Sequence, residues 1–193
     1  MSTAQQRDLI SVDDYLAGEL VSKTKHEYLG GYVYAMAGAK VAQNVIAVNI
    51  VSGLRERLRG RKCRPYNSDM KIRIRLPTQP RFYYPDASVV CRSNPPDYSY
   101  QDEPILLVEV LSEDTRRTDE GEKKDAYLTI SSLAVYMLVE QEAATVTVYR
   151  RTEQGFQREV YQGPEAVIAL PELATKLPLA EIYEDVEFAP ETE

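Results

Sequence analysis

Two acidic residues, Asp86 and Glu109, are candidates for a metal-binding or catalytic role. Asp86 follows Pro85 within a predicted strand, and Glu109 interrupts the aliphatic run of residues 105–111. A lone carboxylate in such a run loses much of its solvation free energy unless a positive charge compensates it. A divalent cation is one such compensation, and a buried lysine or arginine is another. The sequence therefore predicts either a metal site or a buried salt bridge at these acids.

Magnesium fits the first of these interpretations. It prefers oxygen ligands in octahedral geometry and usually takes only one or two protein carboxylates, with water and phosphate in the remaining positions. A metal so held lowers the pKa of its water, and a nearby ammonium neutralises charge that builds up in the transition state. Asp86 and Glu109 are thus the predicted ligands of Mg²⁺, with Mn²⁺ as a possible substitute.

Adjacent strands must bring these two acids together. Residues 82–91 and 104–111 are predicted strands, the second buried on both faces, and a loop over residues 93–100 joins them. A helix is predicted from Thr118 to about Thr129, with Lys123 and Lys124 one turn in. Residues 134–139 and 145–150 form a second predicted hairpin.

The N-terminal part supplies a hairpin and two helices. Ser11 fits the N-cap of a short helix that runs to about Ala17, and Gly30-Gly31 fits the turn of a hairpin within residues 26–36. A long amphipathic helix over residues 40–58 ends at Gly60. Two apolar rows mark it: Val41, Val45, Val48 and Val51, and Ile46, Ile50, Leu54 and Leu58.

A cluster of cations follows the long helix. Residues 55–75 hold nine basic and two acidic residues, although the whole chain has a net charge of -7. Lys71, Arg73 and Arg75 alternate with aliphatic residues, so a strand over residues 71–76 would place three cations on one face. That face is either an ordinary solvated surface or a contact for nucleic-acid phosphates.

Composition and length limit the class of protein. The 193 residues, 44% of them apolar, predict a single domain over residues 1–185 and an acidic tail over residues 186–193. No signal peptide and no apolar run of membrane-spanning length is evident, so we expect a cytoplasmic protein with no membrane partner. Cys63 and Cys91 lack CxxC spacing, and His26 is the only histidine, which argues against zinc. Both cysteines are expected to be reduced.

Several stretches together resemble a known group of nucleases. They are HEYLGGYVYAM from residue 26, YPDA from residue 84, LVEVLS from residue 107, and DEGEK from residue 119 followed by Tyr127. In this order the chain resembles the PD-(D/E)xK restriction-endonuclease-like superfamily. Within it, the chain is similar to a large bacterial family of uncharacterised restriction endonucleases, from about residue 10 to residue 183.

The resemblance implies a fold, a substrate and ligands. It implies an α/β fold with a mixed central β-sheet flanked by helices and an N-terminal β-hairpin, and Asp86 and Glu109 as metal ligands. The substrate would be DNA, and a homodimer or higher homo-oligomer is implied because cutting both strands requires two sites. The superfamily's lysine stands two residues after the second acid, where this chain has Leu111. In the family, a lysine on the following helix replaces it. It corresponds to Lys123, although Lys124 lies beside it.

Two further positions bear on activity. Relatives usually carry a histidine on the long helix near Gln43 or Asn44, and an amide cannot titrate in its place. Glu27 matches a recurrent acid of the first hairpin, which either contributes a third carboxylate or pairs with a base.

Two function hypotheses follow. The first is a Mg²⁺-dependent endonuclease acting on DNA, with Asp86, Glu109, Lys123 and Glu27 as catalytic residues. The second is a catalytically silent nuclease-like domain that acts as an oligomeric binding or regulatory module.

Overall fold

A computed structural model describes residues 9–188 of the chain. The strands in those residues are β1 (His26–Leu29), β2 (Tyr32–Ala35), β3 (Arg64–Asn67), β4 (Lys71–Ile74), β5 (Arg81–Tyr83), β6 (Ala87–Val90), β7 (Tyr100–Gln101), β8 (Pro104–Val110), β9 (Val135–Val139), β10 (Thr145–Thr152), β11 (Gly155–Gln162), β12 (Val167–Leu170) and β13 (Thr175–Pro178). The helices are α1 (Val12–Val21), α2 (Val41–Arg57), α3 (Arg116–Thr118), α4 (Lys124–Leu128) and α5 (Leu179–Ile182). A π-helical turn, Asp119–Lys123, joins α3 to α4, and a 3-10 turn spans Pro171–Leu173.

The strands form two mixed sheets and a two-stranded ribbon. The larger sheet has the order β11-β10-β9-β8-β6-β3, the smaller has the order β2-β1-β5-β4-β7, and β12 pairs with β13. Within them, β8 and β9 run parallel, as do β4 and β7. The predicted mixed α/β fold is confirmed, and so is the N-terminal hairpin of β1 and β2. Among the helices of residues 9–188, none is long and apolar enough to cross a bilayer.

The N-terminal hairpin and α1 follow local rules. Ser11 is the N-cap of α1, where its Oγ accepts a hydrogen bond from the backbone N–H of Asp14 at 3.1 Å. The helix extends to Val21, beyond its predicted end near Ala17. Gly30 and Gly31 have φ angles of 58° and 102°, which a two-residue hairpin turn requires and which residues with a Cβ rarely adopt.

The segment predicted as one strand over residues 82–91 is in fact two strands. β5 belongs to the smaller sheet and β6 to the larger one, and Tyr84, Pro85 and Asp86 pass between them. Proline has no N–H to continue a strand ladder, so the pairing stops where the chain changes sheets. Asp86 therefore lies at the junction of the two sheets.

α2 buries one of its two predicted apolar rows. Ile46, Ile50 and Leu54 are fully buried in a core shared with the larger sheet, whereas Val41 and Val48 are 82% and 53% exposed. The row that contains these two valines is thus not the buried face of the helix. A helix that packs on one sheet buries only one stripe of its surface.

The C-terminal elements complete this core. The predicted hairpin of β9 and β10 is confirmed, but β3, β11, the β12–β13 ribbon and α5 were not predicted. The sequence of β11, GFQREVYQ, does not alternate apolar and polar residues in the way that signals a strand. Accordingly, none of its residues is fully buried. Ile168, Leu177 and Leu179 pack in the same core as α2. Of the predicted acidic tail, residues 189–193 lie outside the described residues.

The two cysteines are joined, which corrects the expectation of reduced thiols. Arg64 of β3 pairs with Val90 of β6, and Cys63 and Cys91 are the next residues outward on the same two strands. They form a disulfide with their Cα atoms 3.9 Å apart. Strand pairing, which spacing in the sequence does not reveal, brings them together.

Candidate active site

Strand register places the two predicted metal ligands side by side. Ala87 of β6 pairs with Val108 of β8, so Asp86 and Glu109 are the next residues along these antiparallel strands. The backbone N–H of Val110 donates a hydrogen bond of 2.7 Å to Asp86 Oδ2. The side chain of Glu109 is only 4% exposed. β8 thus holds one carboxylate by a main-chain donor and carries the other.

Lys123 reaches both Glu109 and Glu27 from the π-helical turn. Its Nζ lies 2.9 Å from Glu27 Oε1, 3.3 Å from Glu109 Oε1 and 3.5 Å from Asp119 Oδ1. Its side chain is 7% exposed. The structure therefore brings together the four residues that the sequence singled out for catalysis, and it adds Asp119. We call Glu27, Asp86, Glu109, Asp119 and Lys123 the cavity cluster.

The structure separates Lys123 from its neighbour. Lys124 Nζ lies 5.4 Å from the centre of the Tyr149 ring and makes no ion pair with the residues of the cavity cluster. Leu111, where the superfamily has its lysine, is buried in an apolar cluster with Tyr127. Of these three positions, only Lys123 offers its ammonium to Glu109.

Two neutral side chains orient the acids. The hydroxyl of the fully buried Tyr127 donates a hydrogen bond of 3.0 Å to Glu109 Oε1. Gln43 Nε2 donates to Asp86 Oδ1 at 3.3 Å, whereas Asn44 is exposed. Gln43 is thus the residue of α2 that faces the site.

Asp119 was not predicted as a site residue. It is 2% exposed, and its Oδ1 accepts no hydrogen bond of good geometry from the described residues. The signal was available, since Asp119 begins the DEGEK stretch and stands four residues before Lys123, a spacing that pairs charges on one helix face. An acid in the first turn of a predicted helix usually faces solvent, which concealed its role.

Burial raises the pKa values of three carboxyl groups in the cavity cluster, and the nearby positive charge does not offset it. Burial raises the pKa of Asp86 to about 6, and the Val110 N–H and the Lys123 charge only partly oppose this. Burial also raises the pKa of Glu109 well above its usual value, with Lys123 opposing the shift and Asp119, Asp86 and Glu27 adding to it. The pKa of Asp119 is raised by burial as well. One ammonium does not balance these acids.

Lys123 shows the opposite effect. Burial alone would lower the pKa of its ammonium, but the charges of Glu109, Glu27 and Asp119 outweigh burial and leave the pKa above its usual value. Lys123 is therefore a permanent cation at neutral pH.

The cations of β4 are placed differently from the prediction. Lys71 is 4% exposed and donates to the Tyr84 hydroxyl at 3.1 Å, and Arg73 binds both carboxylate oxygens of Asp102 at 2.6 and 2.8 Å. Only Arg75 has a largely exposed side chain, at 71%. Of the two alternatives for these cations, the ordinary solvated face does not hold for Lys71 and Arg73, because β4 is a largely buried interior strand of its sheet. Phosphate binding by these residues stays a prediction.

A second polar network adjoins the site and was missed. Glu19 accepts hydrogen bonds from the Tyr84 hydroxyl at 2.6 Å and contacts His26 Nδ1 at 2.8 Å. The backbone N–H of Tyr84 donates to Glu27 Oε1 at 3.4 Å. This network fixes the chain just before Asp86.

The cavity cluster lines a cavity of about 540 Å³. Its donors fit a hard divalent cation because Asp86 and Glu109 offer only oxygen and lack a full counter-charge. Across residues 9–188, no three aspartate, glutamate, histidine or cysteine side chains form a ready-made metal cluster. The protein would thus contribute two carboxylates, as magnesium sites commonly do.

The chain is similar in sequence to two proteins of Synechocystis sp.. It is 35% identical to uncharacterized protein slr1290 of Synechocystis sp. over 150 residues, 76% of each chain. It is 26% identical to uncharacterized protein sll1609 of the same organism over 148 residues, 74% of this chain and 81% of the relative.

The fold also matches a solved structure. The crystal structure of a putative nuclease of the DUF820 group from Anabaena variabilis has a TM-score of 0.68, with 19% identity, covering 84% of this chain and 91% of the other. The family model described as "Uma2: Putative restriction endonuclease" matches residues 12–180. Since that match covers most of the chain, the protein belongs to the Uma2 family of restriction-endonuclease-like proteins.

Proposed function

We propose that the protein is a metal-dependent endonuclease that hydrolyses phosphodiester bonds of DNA. One observation carries the proposal: the cavity cluster holds four carboxylates against one ammonium. Buried ionic groups that serve only stability are normally paired. Strongly perturbed carboxyl groups in a cavity are typical of functional sites. A divalent cation held by Asp86 and Glu109 would supply the missing charge.

Each residue has a distinct role in this proposal. A bound Mg²⁺ supplies Lewis acidity and a water of lowered pKa. The Val110 N–H and the Tyr127 hydroxyl hold the carboxylates of Asp86 and Glu109 in place. Lys123 keeps its proton, so it stabilises negative charge that develops on the phosphate and does not act as a base.

Glu27 holds the ammonium of Lys123. Its Oε1 is the nearest carboxylate oxygen to Lys123 Nζ, at 2.9 Å, and it also accepts the backbone N–H of Tyr84. Glu27 thus links Lys123 to the segment that carries Asp86, and we assign it a positioning role. Such a contact matters because small displacements of a charged group in a site weaken its effect on the rate.

Plasmid cleavage with matched variants tests the proposal. We expect the purified protein to nick supercoiled DNA with Mg²⁺ or Mn²⁺ but not with EDTA. Asp86→Asn and Glu109→Gln keep the side-chain shape and should lower the rate by about 100-fold or more. Lys124→Ala, on the neighbouring residue, should leave the rate unchanged. Cleavage that survives both Asp86→Asn and Glu109→Gln at the native rate would contradict the proposal.

A second candidate function is a catalytically silent module that binds a partner, as an oligomer. The net charge of -7 and the amide of Gln43 beside Asp86, where a titrating histidine is usual in relatives, favour it. Calorimetric titration with Mn²⁺ separates the two. Binding that Glu109→Gln abolishes supports the endonuclease, and no binding supports the silent module. Light scattering on the same samples measures the molar mass in solution and so tests the predicted homodimer.

A further inference from the structure

The cavity has a buried floor and an exposed rim. Glu109, Asp119 and Lys123 are almost fully buried at its floor, whereas Lys23, Tyr34 and Lys40 line the same cavity and are exposed. A volume of about 540 Å³ is in the range of sites that enclose one small ligand. A phosphodiester that reaches the floor must therefore pass the rim residues.

The rim carries the exposed ring of Tyr34 on an edge strand, and the ring of Tyr32, outside the cavity lining, is its neighbour. Tyr32 and Tyr34 alternate along β2, so their side chains lie on the same side of the strand. They are 50% and 53% exposed, and β2 is the edge of the smaller sheet. Neither ring packs against another aromatic ring of residues 9–188. Exposed rings of this kind are the platforms on which unpaired bases stack.

The rim also carries the cations that remain available near the site. Lys23 and Lys40 are exposed and make no ion pair within residues 9–188, whereas Lys25 is paired with Asp69 at 2.6 Å. Asp114 is also exposed in this lining, so the two lysines leave the rim with a net positive charge in a chain whose total is -7. It suits the phosphates on either side of one nucleotide.

We infer that this site takes its DNA substrate as an unpaired strand, either a free single strand or a segment locally opened in a supercoiled plasmid. One base stacks on Tyr34, Lys23 and Lys40 contact the flanking phosphates, and the phosphodiester between them faces Asp86 and Glu109. Duplex binding needs a broad basic surface. Here Lys71 is buried, Arg73 is engaged by Asp102, and the exposed cations of residues 55–64 lie outside the cavity lining, so the described residues offer no broad basic surface at the cavity. The inference rests on the proposed endonuclease function and specifies its substrate.

Fluorescence anisotropy with a labelled DNA dodecamer tests this inference. The experiment uses Asp86→Asn protein, which removes one negative charge and, under the proposed function, blocks cleavage. We expect the single strand to bind at least about tenfold more tightly than a duplex of the same sequence. Tyr34→Ala should weaken single-strand binding about tenfold, and Tyr34→Phe should retain it because stacking needs only the ring. The matched control is Tyr98→Ala, since Tyr98 is 45% exposed and lies outside the cavity lining.

Salt dependence tests the rim lysines. Lys23→Ala and Lys40→Ala should each reduce the slope of log affinity against log salt by about 0.7, the value for one phosphate of a single strand. Lys176→Ala, an exposed lysine of β13 away from the cavity, should leave the slope unchanged. Unaltered thermal unfolding of each variant shows that folding is intact.

The outcomes separate this inference from the proposed function. A duplex that binds as tightly as the single strand overturns the inference, and so does a Tyr34→Ala effect no larger than that of Tyr98→Ala. Tighter binding of an RNA dodecamer overturns the assignment to DNA. If plasmid cleavage depends on Asp86 while single strands are not preferred, only the substrate assignment fails. If the native chain binds single strands through Tyr34 but never cleaves DNA with metal, the endonuclease proposal fails instead.

Discussion

Two ionic groups of this molecule, one buried and one half-buried, differ in their charge balance. The first is the cavity cluster, with four carboxylates and one ammonium. The second is the β4 pair, Arg73 with Asp102, in which two hydrogen bonds of 2.6 and 2.8 Å join the guanidinium to the carboxylate and Arg75 adds a contact of 3.1 Å. The cavity cluster has fewer positive than negative groups, whereas Asp102 is paired with both Arg73 and Arg75.

The pKa values of the two groups shift in opposite directions. Burial raises the pKa of Asp102, but the hydrogen bonds and charge of Arg73 outweigh burial and leave that pKa below its usual value. In the cavity cluster, Lys123 does not outweigh burial, and the pKa of Glu109 stays well above its usual value. The difference fits a structural role for the β4 pair, and it supports the proposal that the cavity cluster holds a further cation.

The largest effect is expected for removal of the one ammonium. Lys123→Ala leaves Glu27, Glu109 and Asp119 buried without a counter-charge, so the free energy of unfolding should fall by about 3 kcal/mol at neutral pH. Lys124→Ala should change it by less than about 0.5 kcal/mol. Urea denaturation followed by circular dichroism measures both. Equal effects of the two substitutions would remove the distinction between these lysines.

Breaking the β4 pair should cost stability without affecting cleavage. Asp102→Asn leaves the guanidinium of Arg73 without its carboxylate, and we expect a loss of about 2 kcal/mol in the free energy of unfolding. The rate of plasmid cleavage should stay within about twofold of the native rate, since Asp102 lies outside the cavity lining. A collapse of cleavage in a variant that remains folded would show that the β4 pair is not purely structural.

Removing one acid of the cavity cluster should stabilise the metal-free protein. Asp86 has a pKa of about 6 in the folded chain, above the ordinary value of about 3.9 for an unfolded aspartate. Ionisation of Asp86 therefore opposes folding. The cost is absent below about pH 4, grows as the pH rises through about 6, and is complete above that.

Asp86→Asn has no proton to lose and avoids this cost. With EDTA present, we expect it to gain about 1–2 kcal/mol in the free energy of unfolding in mildly alkaline buffer and nothing near pH 4. Thermal unfolding across the pH range measures the gain. A loss of stability in alkaline buffer would mean that Asp86 is already fully compensated without metal.

The smallest effect is expected at Gln43. Its contacts with Asp86 are long, at 3.3 and 3.5 Å, and they rank last among the influences on the pKa of Asp86. Gln43→Ala should therefore change the free energy of unfolding by less than about 0.5 kcal/mol. Its Mn²⁺ affinity by calorimetry should change by less than about threefold. A larger change in affinity would assign Gln43 a role in holding the metal.

Local structure was largely predictable from the sequence because it depends on neighbouring residues. Ser11 caps α1, Gly30 and Gly31 make the hairpin turn, and α2 ends before Gly60, each through the conformational preference of one or two residues. Predicted element boundaries were wrong where pairing with distant parts of the chain determines where a strand ends. The strand predicted over residues 82–91 breaks because its two halves pair in different sheets.

The sequence by itself identified Asp86 and Glu109 as an unusual pair, because an acid inside an aliphatic strand requires compensation wherever the strand lies. Only the tertiary structure decided which side chains meet them. The π-helical turn directs Lys123 and not Lys124 toward Glu109, and α2 presents Gln43 and not Asn44 to Asp86. The local sequence does not distinguish two adjacent residues of a helix. Packing and strand register join distant parts of the chain, and they determine which of the two faces the site.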